Sequence, residues 1–172
     1  MSRFFAGMML AALALPGLTG CATVGANEAY PEARAYDASS APSADIDAAL
    51  VRTELSGKNL LVVMGGNWCH DSRGFASWME TPRFAAMLAE RYEVIYVNVG
   101  MPQTGDGHNI DIARRFGLGE VVGTPTVLII APDGTLLNAD TAGSWRNTAT
   151  RSEDAIFDEL AGFAKPKTYS PS

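Results

Sequence analysis

The chain of 172 residues carries two thiols, Cys21 and Cys69, and their surroundings point to different chemistry. Cys69 lies in Asn67-Trp68-Cys69-His70-Asp71-Ser72, just after an apolar run over residues 60–64 and at the predicted opening of a helix. Unpaired backbone N–H groups and the helix dipole favour negative charge at such a position, so the nucleophilic thiolate is promoted there. A lone cysteine in a domain is more often a small buried core residue. Its place after Trp68 at a helix start argues instead for a nucleophile. Around it, His70 favours the thiolate when protonated, Asp71 opposes it, and Arg73 offsets Asp71. Ser72 is placed to hydrogen-bond the sulfur as a neutral partner. His108, in a Gly-rich loop, reads as a solvated residue, and Phe75 and Trp78 at helical spacing read as core.

The elements that must position these residues alternate along the chain. Ser43 as N-cap, with Asp45 and Asp47 in the first turn, opens a helix ending near Gly57. Residues 60–64 are continuously apolar, as in a strand buried on both faces. Beyond the helix from Cys69, Thr81-Pro82 restarts helix, with Thr81 as cap and Phe84, Met87 and Leu88 inward. A second strand is expected over 93–99, a polar loop over 101–108, a short helix over 110–116 stopped by Gly117, and a third strand over 126–130. Pro132-Asp133-Gly134 signals a turn, so residues 135–138 should return as an antiparallel partner. Thr150 with Glu153 resembles a capping box opening a last helix over 151–164. The expected class is α/β, a mixed central sheet covered by helices on both faces.

Two motifs in this order carry a resemblance. Strand, Trp68-Cys69-x-x, helix, then Gly123-Thr124-Pro125-Thr126 leading into a strand, is similar to the thioredoxin superfamily over roughly residues 45–164. The resemblance implies a thioredoxin-like fold, a cis Pro125 beside the reactive sulfur, and Thr124 offering backbone hydrogen bonds to a bound substrate chain. Trp68 would then form a lip of the site, with His70 also at the substrate surface. Departures from the family pattern bear on mechanism. Ser72 replaces the second cysteine, so the domain cannot form the internal disulfide by which a dithiol reductase releases its mixed disulfide. Val63, six residues before Cys69, replaces the buried acid that serves that second cysteine. A single thiolate can still attack a substrate disulfide and be released by another thiol. This favours isomerase-like exchange through Cys69, with protein or small-molecule thiols and disulfides as partners. The rival from another class is a redox-inactive module whose groove around Trp68, Thr124 and Pro125 holds an extended peptide. Cys69, His70, Asp71 and His108 are possible metal ligands, and some periplasmic thioredoxin-like proteins carry copper. Adjacent residues at a helix start point different ways, however, and soft copper sites recruit more than one sulfur; no metal and no cofactor are expected. A peroxidase reading lacks the Pro and Thr that precede the peroxidatic cysteine in peroxiredoxins.

Cys21 has another fate. Arg3 and the apolar run 4–15, too short to span a bilayer, read as an export signal. Leu18-Thr19-Gly20-Cys21 resembles the lipobox of bacterial lipoproteins, in which the cysteine is diacylated and becomes the first mature residue. That implies a membrane anchor on Cys21, and Ala22 in place of aspartate favours the outer membrane facing the periplasm. The organisation read here is a signal peptide over 1–20, a lipidated end and flexible tether rich in Ala, Ser and Pro over 21–44, the domain over 45–165 and a tail over 166–172. A net charge of -6 without any Lys/Arg cluster argues against nucleic acid. No heptad or exposed apolar stripe demands association, so a monomer is expected.

Overall fold

The computed structural model describes residues 33–37 and 41–164. The signal segment, the lipidation cysteine Cys21, most of the tether and the tail 166–172 lie outside the described residues. Three strands form the main sheet, in the order β2 (Tyr92–Asn98), β1 (Asn59–Gly65), β5 (Thr126–Ile130). Strand β1 pairs parallel with β2 from Asn59↔Tyr92 to Gly65↔Asn98, and antiparallel with β5 from Leu60↔Ile130 to Met64↔Thr126. Because β1 has neighbours on both sides and helices on both faces, six of its seven residues are buried.

Side-chain alternation along β1 and β5 sorts the core into two layers. Leu61, Val63, Val127 and Ile129 face Phe75, Phe84, Trp145, Ile156 and Leu160, which belong to α2 (His70–Glu80), α3 (Pro82–Arg91), a 3-10 segment (Ser144–Thr150) and α5 (Glu153–Phe163). On the other face Leu60, Val62, Met64 and Leu128 pack on Ile46 and Ala49 of α1 (Pro42–Ser56) and on Ile112 and Ala113 of α4 (Asp111–Arg115). Each such aliphatic side chain, fully removed from water, stabilises the fold by about 1.5–3 kcal/mol. A two-stranded arm, β3 (Gly100–Met101) with β4 (Asp106–Gly107), occupies what reads in the sequence as an irregular loop.

Several local expectations are corrected. Helix α1 starts at Pro42, with Ala41 rather than Ser43 at the cap, since proline at N1 needs no hydrogen bond from its nitrogen. Thr81 does not cap α3 with its side chain; its Oγ1 donates back to the Trp78 carbonyl at 2.9 Å and closes α2. Ser152, not Thr150, caps α5, accepting from Ala155 N–H at 3.2 Å. The turn at Gly134 forms, but residues 135–138 do not continue as a strand. One bridge, Ile130↔Leu136, is followed by Asn138, whose buried amide donates to the Val127 carbonyl (2.9 Å) and accepts from Ile129 N–H (2.8 Å). The antiparallel return is therefore short: Ala131 N–H donates to the Thr135 carbonyl (2.8 Å) and Leu137 N–H to the Ile129 carbonyl (2.7 Å), and the Asn138 side chain supplies the next two bonds on the outer edge of β5. Finally, the tether read over 21–44 is shorter than expected. Residues 42–44 belong to α1, and within 33–37 Tyr36 is buried at 1% exposure in the α2-side core.

Candidate active site

Strand β1 ends in Gly65, and Gly66-Asn67-Trp68 then carries the chain across the sheet end to Cys69, the N-cap of the 11-residue helix α2. Both glycines are needed for space. A Cβ at Gly66 would lie 2.5 Å from Trp68 Nε1, because the indole folds back over the loop. A Cβ at Gly65 would lie 2.5 Å from Ser72 Oγ and 2.8 Å from Tyr36 Cε1.

Cys69 is buried, at 9% exposure. Its Sγ donates to the Thr124 carbonyl at 3.3 Å. The Thr124-Pro125 bond is cis, as the family resemblance implies, and both residues are buried. Thr126 Oγ1 donates to the Gly123 carbonyl at 2.8 Å, fixing the turn that brings residue 124 to the sulfur. The two motifs, more than fifty residues apart in the chain, therefore meet at one atom pair.

Trp68 is half exposed and stands at the lip, its Nε1 donating to the Gly100 carbonyl at 2.7 Å and so tying the loop to the β3–β4 arm. His70 is exposed beside it. Asp71 Oδ1 accepts from Ala149 N–H at 2.7 Å and joins the first turn of α2 to the 3-10 segment. Arg73 Nη1 donates to the Asn67 carbonyl at 2.9 Å, so its guanidinium braces the loop rather than serving only as a counter-charge to Asp71. Ser72 differs from expectation. It is fully buried, and its Oγ has no hydrogen-bond partner, the thiol having turned to Thr124 instead. Val63 lies buried on the α2-side face, so an apolar side chain stands at the position of the family's buried acid. His108 is exposed at the arm, and among the described residues no group of three or more His, Cys, Asp or Glu could hold a metal.

Two features are invisible to motif reading. Met101 and Val122 are exposed apolar side chains, Met101 next to the Gly100 whose carbonyl Trp68 bonds and Val122 next to the Gly123-Thr124 segment. Tyr36 packs behind the loop, edge-on to Tyr96 with ring centroids 5.4 Å apart, and burial followed by the nearby Tyr96 pushes its phenol well above the ordinary tyrosine range. The one available signal was an aromatic in a stretch of mostly small and polar residues, a stretch that also holds Tyr30.

The model of a thioredoxin-like family matches residues 41–132. Among solved structures, the fold is similar to the crystal structure of a disulphide isomerase from Xylella fastidiosa Temecula1, with a TM-score of 0.69 and 25% sequence identity over 77% of this chain and 98% of that one. No curated protein matches the chain in sequence.

Proposed function

The chain belongs to the thioredoxin-like family, and on that premise we propose that it exchanges thiols and disulfides through Cys69 as a monothiol enzyme of the cell envelope. The observation that carries this reading is the thiol at the N-cap of α2, held at 3.3 Å from the Thr124 carbonyl beside the cis Thr124-Pro125 bond. The Cys69 thiolate attacks one sulfur of a substrate disulfide; a Cys69–substrate disulfide forms, the original S–S bond breaks, and the second substrate sulfur leaves as thiolate. With Ser72 where a second cysteine would be, release falls to that departing thiolate, to another substrate thiol or to a small external thiol. Attack on the substrate side of the mixed disulfide forms a new substrate disulfide and returns Cys69, with no net electron transfer. Isomerisation is the outcome when both sulfurs come from one protein. Thr124 and Pro125 line the bound substrate strand, with Trp68 and His70 at its edge, and no cofactor enters either step. Likeness to a disulphide isomerase supports the same class.

The lipobox-like Cys21 would anchor the monomer to the outer membrane facing the periplasm, an oxidising compartment in which disulfide repair has substrates. The exposed apolar side chains Trp68, next to Cys69, and Val122, next to Gly123-Thr124, also favour a second reading, an extended-peptide binding module without exchange. Trapping separates the two. In the full chain carrying Cys21→Ser, Cys69 is the sole thiol; incubation with a scrambled-disulfide protein or oxidised glutathione yields a Cys69 mixed disulfide and isomerisation, both lost in Cys69→Ser. Binding without an adduct would establish the module instead.

A further inference from the structure

Tyr36 takes no part in the exchange steps, yet it and its neighbours are bonded to the residues on both sides of Cys69. Tyr36 N–H donates to Asn67 Oδ1 at 3.3 Å, and Asn67 Nδ2 donates back to the Tyr36 carbonyl at 2.7 Å. Beyond the thiol, the Tyr36 hydroxyl donates to the Ser72 carbonyl at 3.2 Å and Ala33 N–H donates to the Arg73 carbonyl at 3.0 Å. Arg73 closes the bracket, its N–H donating to the Cys69 carbonyl at 3.0 Å and its guanidinium to the Asn67 carbonyl at 2.9 Å.

The sheet fixes the start of the loop, Gly65 pairing with Asn98, and Cys69 N–H donates to the Gly66 carbonyl at 3.0 Å within it. Gly66 contributes no side-chain packing and the widest backbone freedom of any residue type. Further restraint comes from outside, where the Tyr36 ring fills the room that a Cβ at Gly65 would need. Being 1% exposed, the ring anchors a segment that also shares two hydrogen bonds with Asn67 of the loop and one with Arg73 of α2.

We infer that Tyr36 is a positioning residue for the Cys69 thiol: seated behind Gly65 and paired through its backbone to Asn67, it holds the loop so that Sγ stays against the Thr124 carbonyl. Its kinetic consequence rests on the exchange reading above; its effect on the thiol does not. The segment 33–37 is thereby part of the reacting unit.

The test uses the full chain carrying Cys21→Ser, with Tyr36→Ala, Tyr36→Phe and Asn67→Ala added singly. Alkylation of Cys69 by iodoacetamide reads the thiol without any substrate, and isomerisation of a scrambled-disulfide protein reads kcat and KM. Asn67→Ala, and Tyr36→Ala where circular dichroism shows it folded, are expected to alkylate about fivefold faster or more, because the sulfur loses its fixed partner and cover. Their kcat falls about tenfold or more while KM moves less than about twofold. Tyr36→Phe keeps the ring in its seat and restores both to within about twofold of wild type. Wild-type alkylation and turnover in Asn67→Ala, or in a folded Tyr36→Ala, overturns the inference. If the parent chain shows no isomerisation, the exchange reading fails, while the alkylation rates still decide the role of Tyr36.

Discussion

Replacing Ser72 by alanine puts a number on the difference between the thioredoxin pattern and this site. The Ser72 hydroxyl is fully buried and its Oγ has no hydrogen-bond partner. Withdrawing a hydroxyl from water without a compensating bond costs about 1–3 kcal/mol in proteins. Ser72→Ala removes that cost and leaves a gap of one oxygen atom, whose lost contacts return a few tenths of a kcal/mol. The net expectation is a stabilisation of about 1 kcal/mol, or a rise in Tm of about 3 °C for a domain of this size. Exchange should stay within about twofold of wild type, since the thiol's polar partner is the Thr124 carbonyl. Thermal unfolding followed by circular dichroism, on reduced protein carrying Cys21→Ser, reads the first quantity, and the rate of mixed-disulfide formation reads the second. A Tm lower by about 3 °C, or exchange slowed about tenfold, would refute the reasoning and give the hydroxyl a bond to the thiolate.

Asn138→Ala should destabilise by about 2–5 kcal/mol in urea unfolding, because it leaves the Ile129 N–H and the Val127 carbonyl unpaired on a buried edge; a loss below about 1 kcal/mol means that another group takes over the edge. Alkaline pH should unfold the domain through its buried tyrosines. Burial pushes Tyr36, Tyr92 and Tyr96 above the ordinary range, assisted by Tyr96 for the first and by Glu80 for the third. Folded-state protons are then held while the unfolded chain ionises, so this stability is fully present below about pH 10 and is lost as pH rises above it, at up to about 1.4 kcal/mol per pH unit for each tyrosine. Ionisation of every tyrosine near pH 10 by ultraviolet difference absorbance, with Tm unchanged above it, would contradict this.

The parts of the fold that were legible are those where periodicity and motif speak together. The apolar run 60–64 announced a strand buried on both faces because both faces of β1 are covered by helices. Trp68-Cys69 and Thr124-Pro125 were legible as a pair because each lies at the end of such a strand, so the sheet itself brings them together. What escaped was set by single side chains. Asn138 completes an edge that sequence pattern assigns to a strand, and no periodicity distinguishes an amide on β5 from a backbone on β5. Trp145 is fully buried against Phe75, ring centroids 5.4 Å apart, from a 3-10 segment whose residues follow neither a helical nor a strand period. Tyr36 was hidden by its neighbours, since the composition around it is that of a tether. The orphaned Ser72 hydroxyl followed from the direction of one sulfur, which spacing along a chain does not encode.

The position of β1 between β2 and β5 separates the site into a slow side and a fast side. Amides of the central strand, paired to both neighbours and shut off from solvent, are expected to exchange with deuterium only when the whole domain opens, and the two-residue strands of the arm through local fraying. The central strand leads through Gly66-Asn67-Trp68 to the thiol at the N-cap of α2, and the arm is tied to that loop by the indole of Trp68.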